Sequence, residues 1–82
     1  MEFKNYFQYK VFENGDVFNS KNQKLKPQRN GFYELYLLGK KRKIRCSHIV
    51  LFAFGIYPLR FKQQVKHIDG NIFNNSLNNL KW

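Results

Sequence analysis

The sequence His67-Ile-Asp-Gly-Asn71-Ile-Phe-Asn74-Asn75-Ser-Leu-Asn-Asn79-Leu-Lys-Trp82 decides how the C-terminal part of this chain folds. Asp69-Gly70 is a turn dipeptide behind a short apolar run, so residues 65–68 are predicted to form a strand. The clustered Asn side chains mimic backbone turns, and we expect them to satisfy nearby amide groups. Residues 76–80 are predicted to form one helical turn.

The first half of the sequence alternates strand-forming runs with turn residues, and it predicts a small antiparallel β-sheet. Asn14-Gly15 is expected to adopt positive φ at both positions of a tight hairpin, which pairs residues 6–12 with residues 17–19. Pro27 cannot donate to a ladder, so its strand is expected at an edge. The other predicted segments are strands over 24–27, 32–38 and 42–46, and turns at 20–22 and 39–41.

An apolar run after the last of these strands predicts a short helix over residues 48–54. Ser47 is the expected N-cap, and Gly55 stands where a helix favours a left-handed residue. Since residues 49–54 leave no polar stripe, this helix is expected at the centre of the core. The prediction is one α+β domain over residues 1–82, with antiparallel hairpins in 1–46, a core helix in 47–55 and a separate C-terminal motif in 65–82.

Positive charge is the strongest compositional feature of the chain. Fifteen Lys and Arg against five Asp and Glu give a formal net charge of +10, which is typical of proteins that bind polyanions. An anionic membrane is the alternative partner, but no amphipathic membrane helix is visible and the run 49–54 is too short to span a bilayer. Nucleic acid is therefore the predicted partner. The single Cys46 excludes an internal disulfide and suits a reducing cytoplasm, which is the expected location.

The candidate nucleic-acid contacts lie on two neighbouring predicted hairpins and beside His67. Five of the six residues from 40 to 45 are Lys or Arg, at a hairpin tip and along its return strand. Such a ribbon can follow a phosphate backbone or enter a duplex groove. A charged hairpin that is merely solvated is the alternative. The predicted contacts are Lys21, Lys24, Lys26, Arg29, Lys40, Lys41, Arg42, Lys43, Arg45 and Lys66.

The order of these motifs resembles that of phage-type HNH homing endonucleases. The resemblance rests on Tyr9-Lys-Val-Phe-Glu-Asn-Gly15-Asp-Val-Phe18, Cys46-Ser-His48-Ile-Val-Leu-Phe-Ala-Phe54, His67-Ile-Asp-Gly-Asn71 and Asn79-Leu-Lys-Trp82. It implies an incomplete ββα finger of the kind that binds one divalent metal ion, with duplex DNA favoured over RNA as partner. It also assigns His67 as the general base on water and Asn79 as the residue that orients the finger through backbone hydrogen bonds.

Two departures from the family pattern predict impaired cleavage. The family often has an acidic residue directly before the base, whereas this chain has Lys66, whose ammonium offers no lone pair to a metal ion. The family also has a ligand on a helix beyond the tryptophan, and the sequence given ends at Trp82. Asp69 is interpreted as a turn residue. We therefore expect a nucleic-acid-binding protein without metal ligands or a cofactor, in which Mg²⁺ or another divalent ion matters only if the chain is an active nuclease.

Two other functions stay open on the sequence. An active metal-dependent HNH endonuclease would be completed by a longer chain or a partner. A structural or regulatory component would use the basic hairpins on RNA or on protein in a larger assembly, such as a ribonucleoprotein. In a chain without cleavage, His67 would be a surface or capping imidazole. His48 is predicted to be structural, hydrogen-bonded to a neighbouring loop, and Cys46 to be a small buried apolar residue.

Overall fold

The computed structural model describes residues 2–29, 31–60 and 63–82, which form antiparallel sheets and one α-helix. The predicted α+β class is confirmed. The strands are β1 (Phe3–Tyr6), β2 (Tyr9–Phe12), β3 (Val17–Phe18), β4 (Phe32–Leu37), β5 (Lys40–Arg45), β6 (Lys66–His67) and β7 (Leu80–Lys81), and the helix is α1 (Cys46–Ala53). In the described residues, β1–β2–β3 and β4–β5 are separate sheets, whereas the sequence predicted a single sheet for this half.

The loop between β2 and β3 contains Asn14-Gly15, but its geometry differs from the prediction. Gly15 has φ of +94° and Asn14 is not left-handed, so positive φ at both positions was wrong. The Phe12 amide donates to the Asp16 carbonyl at 2.8 Å, which closes a longer loop than a two-residue turn. The predicted strand over residues 6–12 is also divided, because a turn at Phe7–Gln8 separates β1 from β2.

A tight two-residue turn joins β4 to β5, as another, at Phe7–Gln8, joins β1 to β2. Leu38 has φ of +52° and Gly39 has φ of +78°, while Leu37 pairs with Lys40 across the turn. Positive φ at both central residues is the type I′ pattern, whose twist suits a hairpin. Since the turn takes Leu38 and Gly39, β4 ends one residue earlier and β5 begins two residues earlier than predicted.

The start of α1 corrects the predicted N-cap. The helix begins at Cys46, so Ser47 lies within its first turn and Arg45 holds the cap position, without a side-chain hydrogen bond. The Cys46 amide donates instead to the Gly31 carbonyl at 3.0 Å. One of the amides that a helix start leaves unpaired is therefore satisfied by the backbone ahead of β4, where sequence reasoning had expected a hydroxyl.

The end of α1 agrees with the prediction for Gly55. This residue has φ of +76°, its amide donates to the Phe52 carbonyl at 3.1 Å, and the next amide, of Ile56, donates to the Leu51 carbonyl at 2.9 Å. These two bonds define a Schellman motif, in which glycine accepts the left-handed conformation without a steric penalty.

The helix α1 lies at the centre of the core, as predicted. Ile49 and Val50 have no exposed surface and Leu51 has 1%. Around them pack the inward side chains of the sheets, which are Tyr9, Val11, Val17, Tyr33, Leu35 and Leu80. Cys46 is confirmed as a small buried residue, and burial raises the pKa of its thiol to about 11. No helix in the described part of the chain is both long and apolar enough to cross a membrane.

The segment between β3 and β4 is a loop, so the predicted strand over residues 24–27 was wrong. Lys24 forms one isolated bridge with Phe18, and the following amide, of Leu25, donates to the Val17 carbonyl at 2.8 Å. The side-chain oxygen of Asn19 accepts the backbone amides of Lys21 and Gln23, which holds the turn ahead of this segment. Since Pro27 has no amide to donate, the pairing with β3 does not continue beyond Lys24 and Leu25.

Candidate functional site

The C-terminal residues form a short finger, made of β6, the turn at Asp69-Gly70, a 3₁₀ turn over Leu77–Asn79, and β7. His67 pairs with Leu80 and Lys66 with Lys81 in antiparallel register. The strand and the helical turn predicted here are both present, although the strand is shorter than residues 65–68. The finger therefore places His67 on a paired strand, where its backbone is fixed.

Asn79 holds the turn of the finger together. Its side chain is buried, with 8% of the residue exposed. Its Oδ1 accepts from the Asp69 amide at 3.1 Å, and its Nδ2 donates to Asp69 Oδ1 at 2.9 Å and to the Asn74 carbonyl at 2.8 Å. Three bonds from one side chain join the two ends of the loop, which is the geometry that a finger-orienting asparagine needs.

Both carboxylate oxygens of Asp69 accept hydrogen bonds from other residues of the finger. Its Oδ2 accepts from Asn74 Nδ2 at 2.8 Å, and its Oδ1 accepts from the Asn71 amide at 2.8 Å as well as from Asn79. The hydrogen bonds from Asn74, Asn71 and Asn79, in that order, lower the pKa of Asp69 from its usual value. The geometry agrees with its interpretation as a turn residue.

His67 is half-buried and bonded to Asn75, a residue that sequence reasoning had given only a turn role. The two atoms, His67 Nε2 and Asn75 Oδ1, lie 2.8 Å apart. An amide oxygen can only accept, so the imidazole donates from Nε2 and its Nδ1 carries the free lone pair. Asn75 therefore fixes both the orientation of the ring and the atom through which it could accept a proton.

Asn75 is in turn held by the β2–β3 loop. The Leu77 amide donates to the Glu13 carbonyl at 2.6 Å, and Ser76 Oγ donates to the Asn14 carbonyl at 3.4 Å. Gly15 packs against Asn75 itself, since a β-carbon added there would lie 2.8 Å from the Asn75 carbonyl oxygen. Asn14-Gly15 predicts only a turn from the sequence. In the structure, this dipeptide also contacts Asn75 and Ser76, so it packs the finger against the N-terminal sheet.

A cavity of about 310 Å³ opens beside His67. Its polar lining brings together side chains from separate parts of the chain, which are Arg45, Ser47, His48, Gln63, Gln64, His67 and Asn75. Arg45 enters from the end of β5 and His48 from the first turn of α1. The sequence indicated each histidine and Arg45 separately, but no spacing in it predicts that they share one cavity.

Among the residues that the structure describes, His48 makes no hydrogen bond to a neighbouring loop, contrary to the prediction. Its Nδ1 is buried and has no partner among the described residues. Its ring instead makes edge contacts with Phe52 and Trp82, at centroid distances of 5.8 and 5.1 Å. Burial, and then the nearby Arg45 guanidinium, lower the pKa of His48 below its ordinary value, so the ring is neutral at pH 7.

The hairpin β4–β5 has one face on the core and one on solvent. Opposite residues of an antiparallel pair share a face, and Tyr33 and Leu35 occupy the buried one. The residues that point away from the core are therefore Phe32, Glu34, Tyr36, Lys41, Lys43 and Arg45, which we call the outer face. Lys41 pairs with Glu34 at 2.9 Å, and the Arg45 guanidinium lies 5.0 Å from the Phe32 ring centre.

The other predicted basic contacts lie apart from the outer face. Lys21, Lys24, Lys26 and Arg29 are exposed on the loop between β3 and β4, not on a hairpin as expected, and Lys24 pairs with Asp16 at 3.4 Å. Lys66 is exposed on the finger. Lys40 and Arg42 lie on the opposite side of the β4–β5 hairpin from the outer face. They are also exposed, because they are close to the hairpin tip.

The residues around His67 do not fit a divalent metal ion. No group of three or more His, Cys, Asp or Glu side chains that could hold a metal occurs among residues 2–29, 31–60 and 63–82. Asp69 has its oxygens committed to amide donors, and Lys66 precedes His67 with a positive charge that opposes a cation. The chemistry that these residues can offer is proton acceptance by His67 and anion binding by Arg45.

Comparison with known proteins gives one informative match. No protein-family model matches the sequence, and a search of curated proteins returns no match. Among solved structures, the chain is similar to the HNH homing endonuclease I-HmuI, in a study of DNA binding and cleavage by that protein. The TM-score is 0.80 at 29% identity, covering 100% of this chain and 52% of that one. The chain thus has an HNH-endonuclease-like fold and spans about half the length of this relative.

Proposed function

We propose that this chain binds duplex DNA through the outer face of β4–β5, and that the described residues alone do not support efficient cleavage. The observation that carries the proposal is the position of Arg45. This residue belongs both to the outer face and to the lining of the cavity that contains His67. A phosphate bound by Arg45 would therefore lie at the entrance to that cavity.

The charge of the chain supports a polyanionic partner. A net charge of +10 on 82 residues attracts nucleic acid over long range, and Lys41, Lys43 and Arg45 repeat every second residue along one exposed strand. Lys41 is partly neutralised by Glu34, so Lys43 and Arg45 are the stronger phosphate contacts. Contacts of this type fix the orientation of DNA without reading its sequence.

The donor set around His67 supports the second half of the proposal. His67 could take a proton from water at Nδ1, but the described residues around it supply no set of side chains to bind the metal ion on which HNH chemistry depends. Arg45 is a cation that could stabilise a bound phosphate, yet it offers no activated water. Binding without efficient hydrolysis is therefore the function that these side chains favour.

Fluorescence anisotropy on a labelled mixed-sequence duplex, measured over a series of salt concentrations, tests the binding. Lys43→Gln should make the negative slope of log affinity against log salt less steep by about 0.9, the value for one duplex phosphate. Lys4→Gln removes an equal charge from β1 and should leave the slope unchanged. Equal effects from the two variants would assign binding to overall charge, and tighter binding to structured RNA would favour the ribonucleoprotein alternative.

Plasmid nicking in the presence of Mg²⁺ or Mn²⁺ tests the absence of cleavage. The expected result is the same background for the natural sequence and for His67→Ala. Nicking that disappears in His67→Ala would overturn this part of the proposal and favour an active nuclease. The binding part would stand, because it is measured independently without metal.

A further inference from the structure

We propose that Phe7 and Leu38 form an apolar wedge that inserts between neighbouring base pairs of duplex DNA, while Lys40 and Arg42 contact the flanking phosphates. The inference rests on the proposed DNA binding and adds the element that would deform the duplex. Phe7 lies at the tip of the β1–β2 hairpin and Leu38 at the tip of the β4–β5 hairpin. We call the two side chains the wedge.

Leu38 is an unfavourable residue for its position in the turn, because of the backbone conformation required there. Its φ of +52° is a conformation that glycine and asparagine tolerate and that branched apolar residues rarely adopt. Its side chain gains little in return from the fold, since the residue is 88% exposed. A residue that is unfavourable for the turn and contributes little to the core is best explained by an external contact.

Phe7 repeats the same combination on the neighbouring hairpin. It is the first of the two residues between β1 and β2, its φ is +56°, and the residue is 54% exposed. Its ring packs edge-on against Tyr6, with centroids 5.0 Å apart, which holds it in a defined direction. Each of the two hairpin tips therefore holds an apolar residue in the left-handed backbone conformation, which is unfavourable for such residues.

The two tips are joined into one surface by hydrogen bonds between the hairpins. Gln8 Nε2 donates to the Tyr36 carbonyl at 2.6 Å, and the Tyr36 amide donates to the Tyr9 hydroxyl at 2.9 Å. Phe7 and Leu38 then line the same groove, of about 440 Å³, together with Lys40 and Arg42. The wedge is thus held by strands, so its shape does not have to form on binding.

Charge decides which partner fits this surface. Lys40 and Arg42 flank the wedge, and the whole chain carries a net charge of +10, so a second copy of the chain would be repelled. A duplex instead offers phosphates to the cations and stacked bases to the apolar side chains. Proteins that insert Phe or Leu between base steps unstack them and bend the DNA, at a cost that flexible pyrimidine–purine steps reduce.

Substitution with asparagine tests the wedge without weakening the turn. Leu38→Asn places the residue most favoured by a type I′ turn next to Gly39, so the variant should fold at least as stably as the natural sequence. Phe7→Asn makes the matching change on the other hairpin. Leu59→Asn is the control, because that leucine is 96% exposed and belongs to neither hairpin.

The probe is a short duplex of alternating thymine and 2-aminopurine, whose fluorescence rises wherever a base step is unstacked. The natural sequence and Leu59→Asn should raise the emission at saturation. Leu38→Asn and Phe7→Asn should lose most of that rise, with Phe7→Asn also weakening affinity about tenfold, since base–aromatic stacking contributes roughly that factor.

The outcomes separate this inference from the function on which it rests. Saturable binding with no difference in emission between the Asn variants and the control would overturn the wedge and leave DNA binding intact. Absence of binding by the natural sequence would overturn both. Sedimentation that shows self-association, lost in Leu38→Asn, would assign the same surface to a second copy and would also overturn the wedge.

Discussion

Gly15 lies directly against the backbone of Asn75, so closely that a β-carbon on Gly15 would be 2.8 Å from the Asn75 carbonyl oxygen. Asn75 in turn accepts a hydrogen bond from the His67 imidazole at 2.8 Å. The loop between β2 and β3 therefore controls the position of the candidate catalytic histidine, although the two are far apart in the sequence. The two contacts, one by packing and one by a hydrogen bond, connect the loop to the histidine through Asn75.

Gly15→Ala is expected to destabilise the fold by about 3 kcal/mol, which combines the strain of a left-handed alanine with the clash against Asn75. Gly70→Ala is the matched control. Its φ is +77°, but nothing lies within 4 Å of the added carbon, so only the strain of about 1 kcal/mol is expected. Urea denaturation followed by Trp82 fluorescence measures both. Equal losses would show that the Gly15–Asn75 contact contributes nothing.

Asn79→Ala is expected to lower the free energy of unfolding by about 2 kcal/mol. Three hydrogen bonds to Asp69 and Asn74 are lost, but water replaces part of them because Asp69 is exposed. Asn78→Ala, at the exposed neighbouring position, should change stability by less than about 0.5 kcal/mol. The NMR signals of residues 67–71 should shift in the first variant alone. An Asn79→Ala variant as stable as Asn78→Ala would contradict the bracing role.

Asp69 should make the finger sensitive to acid. Its pKa is lower in the folded state than its ordinary value of 3.8, because the folded carboxylate accepts hydrogen bonds from Asn74, Asn71 and Asn79. The stabilisation is complete above pH 3.8 and is lost as the pH falls through the folded value. Unfolding free energies measured down this range should fall more steeply for the natural sequence than for Asp69→Asn. Identical slopes would argue against the network.

Protonation of His48 should also make the fold less stable as the pH falls, but in a higher pH range than that of Asp69. Its pKa is lowered from 6.5 by burial and then by Arg45, so the unfolded chain takes up a proton before the folded chain does. Stability should therefore decline as the pH falls below 6.5 and level off below the folded pKa. His48→Phe keeps a ring against Phe52 and Trp82 while removing the titrating group.

The two readouts for His48 are denaturation across this pH range and the proton NMR titration of the imidazole. The decline should be absent in His48→Phe, and the natural imidazole should titrate below its ordinary value. The same variant should be at least as stable as the natural sequence at neutral pH, since it removes a buried nitrogen that has no partner among the described residues. A loss of stability in His48→Phe would mean that the nitrogen is satisfied in solution.

Local signals in the sequence were most informative where one residue type suits one backbone geometry. Gly55 ends the helix through a Schellman motif, and Asp69-Gly70 forms the turn of the finger, both as predicted. The same reasoning failed at Ser47 and at residues 24–27. A backbone carbonyl from Gly31 accepts the Cys46 amide at the start of the helix. Residues 24–27 make only one bridge and one amide bond to β3 before Pro27, which has no amide to donate.

The class of fold, the buried helix, the basic character of the chain and the His67–Trp82 motif could be predicted from the sequence, because each depends on residue type and on spacing along the chain. Only the folded chain shows that Arg45, His48 and Asn75 line one cavity with His67, and that Phe7 and Leu38 share one surface. These juxtapositions depend on how separate sheets pack on α1 and on contacts such as that of Gly15 with Asn75. Periodicity along a chain carries no information about such distances between distant segments.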